Sequence, residues 1–277
     1  MPGVLVAALF AAALPNAVVL QPVANMYSKP TLDAEVVSQA IFAANVSIVE
    51  QKDDWAQVRT ADDYTGWMPL ASLRPGPRYA GNGRVAEVRS MFAHIYRDPS
   101  ATVHAPLLTV PFETRLEVSA EPAGPSPWAK VSLPDGREGW VQLGDVAFHA
   151  PPLTLPEMVE FAKRFLGLPY TWGGTSTYGY DCSGFMQMLE RNRGVNMPRD
   201  AQPQADWDGQ SAVERSDLRP GDLVYFGSSP KHITHTGMYL GGGKFISATT
   251  YQTPTIRIDS LDDPHFSRIL VAMRRPK

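Results

Sequence analysis

Apolar and polar residues alternate with the period of a strand in two stretches of the first half. Residues 54–73 read DWAQVRTADDYTGWMPLASL and residues 127–146 read PWAKVSLPDGREGWVQLGDV. Each opens on Trp-Ala-polar-Val and reaches a Gly-Trp pair twelve residues after its first Trp, so Trp55 and Trp67 correspond to Trp128 and Trp140 at a constant offset of 73. Further upstream, NMYSKP (25–30) echoes AHIYRDP (93–99). Turn-forming residues interrupt the strands, Asp62-Asp63 in one copy and Pro134-Asp135-Gly136 in the other. Short alternating strands broken by such turns predict a small antiparallel β-barrel, and the offset predicts two copies of it. The four tryptophans are expected to spend most of their area in the barrel cores. RPGPRYAGNGR (74–84) and HAPPLTLP (149–156) punctuate the boundaries.

After residue 153 the period changes. In TLPEMVEFAKRFLG, Met158, Phe161, Ala162, Phe165 and Leu166 form one helical stripe. Thr154 with Glu157 fits a capping box, and Gly167 is a helix stop. The loop PYTWGGTSTYGY follows. CSGFMQMLERNRG is a second helix, with Phe185, Met186 and Leu189 inward and Gly194 as its stop. DLVYF, HTGMYL, KFISAT and TIRI are consecutive strands separated by Gly, Pro and Ser turns. The last domain is therefore α+β, with two or three helices on an antiparallel sheet. The domain reading is a signal or N-terminal segment at 1–17, β-domains at 18–76 and 80–150, and the α+β domain at 153–277.

The chain has 277 residues, 44% hydrophobic and 19% charged, with a net charge of -3. That size and composition support buried cores, and the charge offers no general basic field for nucleic acid. The N-terminal MPGVLVAALFAAALPNAVVLQPVA has the apolar length of a signal-peptide core, but no Lys or Arg precedes it. A secretory signal, and with it an envelope or secreted location, and a segment packed on the first domain in a cytoplasmic protein both stay open. The run is short for a transmembrane helix, and no other segment could span a membrane.

A single cysteine, Cys182, excludes an intrachain disulfide and a thiolate-rich zinc site. The histidines are too scattered for a metal site, and no cofactor is implied. A lone cysteine is commonly an inert small hydrophobe. Cys182, however, opens a predicted helix, where the exposed N–H groups favour negative charge, so a lowered thiol pKa is expected. Of the six histidines, His94, His104 and His149 belong to the repeat region, and His232, His235 and His265 follow the thiol. His235 is expected to open a strand, His232 to lie in a loop, and His265 to lie beside Pro264 near the C-terminus. His235 is the candidate base.

The elements PYTWGG, DCSGF, MPRDA, LRPGDLVYF, HTGMYLGGGKFI and RILVAMRR, in that order over 153–277, resemble the NlpC family of papain-like cysteine peptidases, which cut peptidoglycan stem peptides. The repeats resemble bacterial SH3-like domains, whose Gly-Trp ends a hairpin. Together they resemble members that cleave the γ-D-glutamyl bond to a diamino acid in short stem peptides. The resemblance implies two small all-β SH3-like barrels followed by an α+β papain-like peptidase domain, acting as a monomer on stem peptides or muropeptides. It implies Cys182 as nucleophile, His235 as base and then acid, and Tyr170 with the Cys182 N–H at the oxyanion. It also implies Asp181 and Ser183 beside the substrate, with Asp181 holding a free L-alanine amine, and Trp172 as an apolar wall. Tyr64 and Glu35 of the first repeat are implied at the cleft end. One position departs. Where the family has a third polar residue, most often His, this chain has Ser247 in KFISATT. Ser247 serves there, or Gln252 or Thr249 substitutes, or the enzyme is weakened. Ala201 also replaces a small hydroxyl. The competing readings are a catalytically impaired wall-binding protein and an acyl-transfer enzyme on the same scaffold.

Overall fold

The computed structural model describes residues 16–81, 83–120 and 124–277. The first β-unit contains β1 (Asn16–Val19), β2 (Val23–Tyr27), β3 (Val36–Ile41), β4 (Asn45–Lys52), β5 (Trp55–Arg59), β6 (Thr65–Pro69) and β7 (Leu73–Pro75). The second contains β8 (Val85–Val88), β9 (Phe92–Tyr96), β10 (Leu108–Pro111), β11 (Arg115–Ala120), β12 (Trp128–Ser132), β13 (Glu138–Gln142) and β14 (Val146–Ala147). The strand orders are β3-β2-β6-β5-β4-β1-β7 and β10-β9-β13-β12-β11-β8-β14, the same order twice. The glycine of each Gly-Trp pair has a packing reason. A Cβ on Gly66 would lie 2.9 Å from Met26 Cβ, and one on Gly139 would lie 2.5 Å from Ile95 Cγ2. Each hairpin therefore presses against the next strand only because that residue has no side chain.

Of the four repeat tryptophans Trp67 is buried, and Trp55, Trp128 and Trp140 keep a minor part of their area at the surface. All four therefore spend most of their area inside the fold, as expected. On these two-faced strands Trp55 and Trp128 take the outer face, each edge-on to a tyrosine (Tyr27 at 5.5 Å, Tyr96 at 5.4 Å). The first β-unit begins at Asn16, two residues earlier than its predicted start, because Ala17 and Val18 are fully buried. The rest of the apolar N-terminal run, residues 1–15, lies outside the described residues, and so does the question of a signal there. Among the described residues no helix is long and apolar enough to cross a membrane.

The two β-units share a turn that joins each of them to the next domain along the chain. Phe42-Ala43-Ala44 links β3 to β4 and Phe112-Glu113-Thr114 links β10 to β11, with the middle residue at φ 66° and 69° respectively. Phe42 is buried in the core of the second β-unit, and Phe112 in the core of the third domain. The Phe112 ring packs 5.6 Å from Phe161 and 5.7 Å from Phe165.

The third domain begins with α1 (Leu155–Ala162), where Glu157 accepts both the N–H of Thr154, at 2.8 Å, and its hydroxyl, at 2.6 Å. The helix is shorter than its apolar stripe, because Lys163–Phe165 tighten into a 3-10 turn before Gly167 at φ 86°. A small hairpin, β15 (Thr175–Ser176) and β16 (Gly179–Tyr180), leads into α2 (Cys182–Asn192). After α3 (Ala201–Asp206) come β17 (Gln210–Ala212), β18 (Leu223–Ser229), β19 (His232–Gly241), β20 (Lys244–Thr249), β21 (Thr255–Ser260), α4 (Pro264–Ile269) and β22 (Leu270–Pro276). The sheet is antiparallel, in the order β17-β22-β18-β19-β20-β21. One core joins α1 and α2 to Tyr225, Met238 and Ile246, and a second joins α4 to Phe226 and Phe245. His232 is in β19, not in a loop, so His235 lies inside the strand rather than at its start. Arg268 and Ile269 of the predicted last strand finish α4 instead.

The loop before α2 presses on the first β-unit. Gly173, at φ 72°, would place a Cβ 2.8 Å from the Val36 carbonyl oxygen. Gly242, at φ 57°, has nothing within 4 Å of that position. Gly242→Ala is therefore expected to lose about 1 kcal/mol, from backbone strain alone. Gly173→Ala is expected to lose about 3 kcal/mol, because the contact with Val36 must also open. Urea melts of both variants check this, and equal losses would remove the steric contribution.

Candidate active site

Cys182 is the first residue of α2, and Asp181 is its N-cap, accepting the Gly184 N–H at 2.7 Å. The sulfur accepts the backbone N–H of Thr236, the residue after His235. Nucleophile and imidazole are thus mounted on adjacent parts of a packed helix–strand pair. The thiol is buried, 7% exposed. Burial pushes its pKa up to about 12, with the neighbouring Asp181 charge adding to the rise and Arg199 opposing it. This corrects the expectation of a lowered pKa: desolvation outweighs the helix N-terminus.

Burial also pulls the His235 pKa down to about 4, with His265 contributing. The ring packs against an aromatic pair, with Phe226 5.5 Å away and Phe266 6.2 Å away at an interplanar angle of 30°. Its Nε2 is 3.1 Å from Ser247 Oγ. Ser247 is completely buried on β20, opposite Arg257 of β21. Gly237, between His235 and the rest of β19, gives the pair room, since a Cβ there would lie 3.1 Å from Ser247 Cβ. The other two candidates for the imidazole partner are engaged elsewhere. Thr249 Oγ1 accepts the Tyr251 N–H at 3.0 Å, and Gln252 Oε1 faces Arg257 Nη2 at 3.4 Å. Burial raises the Tyr170 pKa, with the neighbouring Cys182 and Asp181 adding to the rise, so its hydroxyl keeps its proton.

Asp181 is not free to hold an ammonium group. Arg199 donates to both its oxygens, Nη2 to Oδ2 at 2.6 Å and Nη1 to Oδ1 at 3.0 Å. Arg199 also donates to Ser183 Oγ at 3.0 Å and to Ser38 Oγ of the first β-unit at 3.2 Å. Ser183 is buried in the same cluster, donating to Asp181 at 3.3 Å. The predicted task of Asp181 is corrected on this ground: its charge is already matched.

A second carboxylate, Asp200, lies next to Arg199 in the chain. The Tyr64 hydroxyl donates to its Oδ2 at 3.2 Å. Burial raises the Asp200 pKa, and the Asp181 and Glu35 charges add to the rise, while Arg199 and Tyr64 pull the other way. Glu35 accepts from Trp172 Nε1 at 3.1 Å, and the Trp172 ring is 60% exposed. A pocket of about 370 Å³ opens beside Tyr64 and Asp200, floored by Met197, Pro198 and Trp207. Tyr64, Glu35, Trp172 and Asp200 therefore meet where the first β-unit abuts the third domain. Arg199 and Asp200 were missed as site residues. Their signal in the sequence was an Arg-Asp pair behind Pro198 at the start of a short helix. Among the described residues no cluster of His, Cys, Asp and Glu could hold a metal ion.

The pattern of the NlpC/P60 family matches residues 167–275, and that of the bacterial dipeptidyl-peptidase Sh3 domain matches residues 26–73. Among curated proteins, the gamma-D-glutamyl-L-lysine dipeptidyl-peptidase of Bacillus cereus (strain ATCC 10987 / NRS 248) is 30% identical over 255 residues, covering 86% of this chain and 74% of that one. The protein of the same name from Bacillus subtilis (strain 168) is 28% identical, covering 88% and 82%. The crystal structure of a NlpC/P60 family protein from Bacillus cereus ATCC 10987 superposes with a TM-score of 0.81 at 26% identity, covering 94% of this chain and 99% of that one. The chain belongs to the NlpC/P60 family of peptidases and carries an SH3-type domain at its N-terminus.

With the thiol pKa raised and the imidazole pKa lowered, both groups rest uncharged at neutral pH. The His235 ring is expected to titrate near 4 rather than 6.5, gaining its proton only as the pH falls through that value. Ring NMR signals followed from pH 8 downward, with the fold monitored by circular dichroism, check it. Iodoacetamide should alkylate Cys182 at pH 7 more slowly than an exposed peptide thiol, and faster as the pH rises. A midpoint at 6.5 with rapid alkylation would mean a solvated site.

Proposed function

We propose that this protein is a cysteine peptidase that hydrolyses the γ-D-glutamyl bond to a diamino acid in murein stem peptides bearing a free N-terminal L-alanine. The observation that carries the reading is the pairing of two sites. One is Cys182 at a helix start, held under the strand that bears His235 with Ser247 on its far nitrogen. The other is the group of Asp200, Tyr64 and Glu35 where the first β-unit abuts the third domain. The names of the two Bacillus relatives point to the same class of bond.

The chemistry follows from the geometry. With Nε2–H donating to Ser247 Oγ, Nδ1 is the basic nitrogen. It takes the thiol proton as the sulfur attacks the γ-carbonyl of D-glutamate, and a C–S bond forms. The oxyanion is met by the Cys182 N–H, in a helix turn where such donors lack intrahelical partners, and by the Tyr170 hydroxyl. Collapse breaks the C–N bond, and the proton passes from His235 to the leaving amine. Water then attacks the thioester, its proton again taken by His235, and the γ-carboxylate leaves with the thiol restored. Because thiol and imidazole rest neutral, proton transfer accompanies attack rather than preceding it.

At the other end, Asp200 and Glu35 face a charge that neither can match alone. An ammonium group pairs with both and offsets their mutual repulsion, with the Tyr64 hydroxyl fixing the Asp200 carboxylate and the Trp172 ring forming the wall. The first β-unit, by closing the cleft there, excludes longer or acylated peptides. The second β-unit, SH3-like in its strand order, supports the third domain through Phe112.

Cys182→Ala should abolish cleavage of L-Ala-γ-D-Glu-L-Lys while keeping its melting temperature. Turnover near that of the unmodified protein would end the peptidase reading. N-acetylation of the L-alanine should lower kcat/KM at least roughly 100-fold, because the acylated nitrogen cannot pair with the carboxylates. Asp200→Asn should narrow that gap, chiefly through a higher KM for the free peptide. Equal rates on the two peptides with the unmodified protein would rule out amine recognition.

A further inference from the structure

Two glutamines in the stretch MPRDAQPQ take no part in the chemistry described, yet each ends beside one half of it. They lie on α3, six residues long, directly after Asp200. Gln204 is completely buried, and its Nε2 donates to the carbonyl of Ser183, at 3.0 Å, and to that of Pro198, at 2.9 Å. Ser183 is the residue after Cys182. Gln202 faces the other way. Its Oε1 accepts the backbone N–H of Ile233 at 2.7 Å, and its Nε2 donates to the Pro230 carbonyl at 3.2 Å.

The reason Ile233 needs a side-chain partner lies in the sheet. β18 and β19 pair as Phe226 with His235 and then Gly227 with Ile233, so β19 carries one extra residue, Thr234, just before the imidazole. Such a bulge bends a strand, re-aims the neighbouring side chain and disrupts the hydrogen-bond ladder locally. Gly227 permits the tight approach, since a Cβ there would lie 2.0 Å from the His232 carbonyl oxygen. Gln202 takes up the Ile233 donor and, through Pro230, also grips the turn between the two strands.

We propose that α3 is a brace between nucleophile and base, in which Gln202 fixes the bulge that aims His235 and Gln204 fixes the first turn of α2 that carries Cys182. Both are positioning residues. The inference rests on the peptidase reading for its kinetic consequence and on the geometry alone for its structural one. The same helix has Asp200 as its N-cap, so three parts of the site hang from six residues.

Gln204 is too deeply buried for a clean substitution, so the test falls on Gln202. Gln202→Met keeps the size and removes acceptor and donor together, whereas Gln202→Glu keeps the acceptor for the Ile233 N–H and gives up only the donor that Nε2 offers to Pro230 and Asp206. In the full chain, Gln202→Met should lower kcat roughly 100-fold, as a displaced catalytic group does, with KM within about twofold. Gln202→Glu should stay within about threefold of the unmodified protein in kcat, a rescue that a mere packing role would not produce. The ring NMR signals of His235 give a second readout that needs no turnover. They should shift in Gln202→Met and stay in place in Gln202→Glu. Unmoved His235 signals in Gln202→Met, or an equal loss of kcat in both variants, would overturn the brace. If the unmodified protein cleaved no stem peptide, the peptidase reading would fail, while the NMR comparison would still decide the brace.

Discussion

The buried ion pair of Arg199 and Asp181 is the constraint around which the site is arranged. The guanidinium is almost wholly enclosed and reaches the N-cap of the nucleophile helix, the hydroxyl of Ser183, Ser38 of the first β-unit and, at 3.5 Å, the carbonyl of Gly174. Removing one member of such a pair strands the other charge in a dry place, at a cost of about 3–5 kcal/mol. The pair also governs the thiol. The Asp181 charge opposes formation of a thiolate beside it, and Arg199 lessens that opposition while Asp181 caps α2. The same pairing engages both oxygens of Asp181, while Asp200, the neighbour of Arg199 in the chain, is held by the Tyr64 hydroxyl.

Much of the architecture was legible in the sequence because it rests on local rules. The repeated Trp-Ala-polar-Val and Gly-Trp pattern became two sheets of identical strand order. Thr154 and Glu157 made the cap their spacing predicted, and KFISAT became β20 without a residue's difference. The failures came where a distant part of the chain intervened. The helix-start rule for Cys182 holds for an exposed thiol, and here the strand carrying Thr236 covers the sulfur. His232 looked like a loop residue because the bulge at Thr234 breaks the alternation that would have announced a strand. Asp181 looked available because nothing near it in the sequence reveals Arg199, eighteen residues on, as its partner.

Ser247 gives the imidazole a short partner. A hydroxyl has less reach than an imidazole, so the ring of His235 must come to it. Gly237 lets its strand approach Ser247 closely, and the aromatic pair Phe226 and Phe266 packs against the ring whose Nε2 meets the oxygen. Orientation that a longer residue would supply by its own hydrogen bond is here shared with stacked carbon rings.

The Phe42 and Phe112 turns give the molecule a polarity. Each β-unit inserts one ring into the core of its successor and none into its predecessor by this device, so the contact is head-to-tail, a heterologous join that in identical units would run on as a filament. The third domain ends the series by receiving a ring through a surface that has no such turn of its own to offer. The two copies are therefore not interchangeable beads on a string. Removing the second would leave a hole beside Phe161 and Phe165 and uncover Phe42 of the first, and the three domains should melt as a single cooperative body, not one after another.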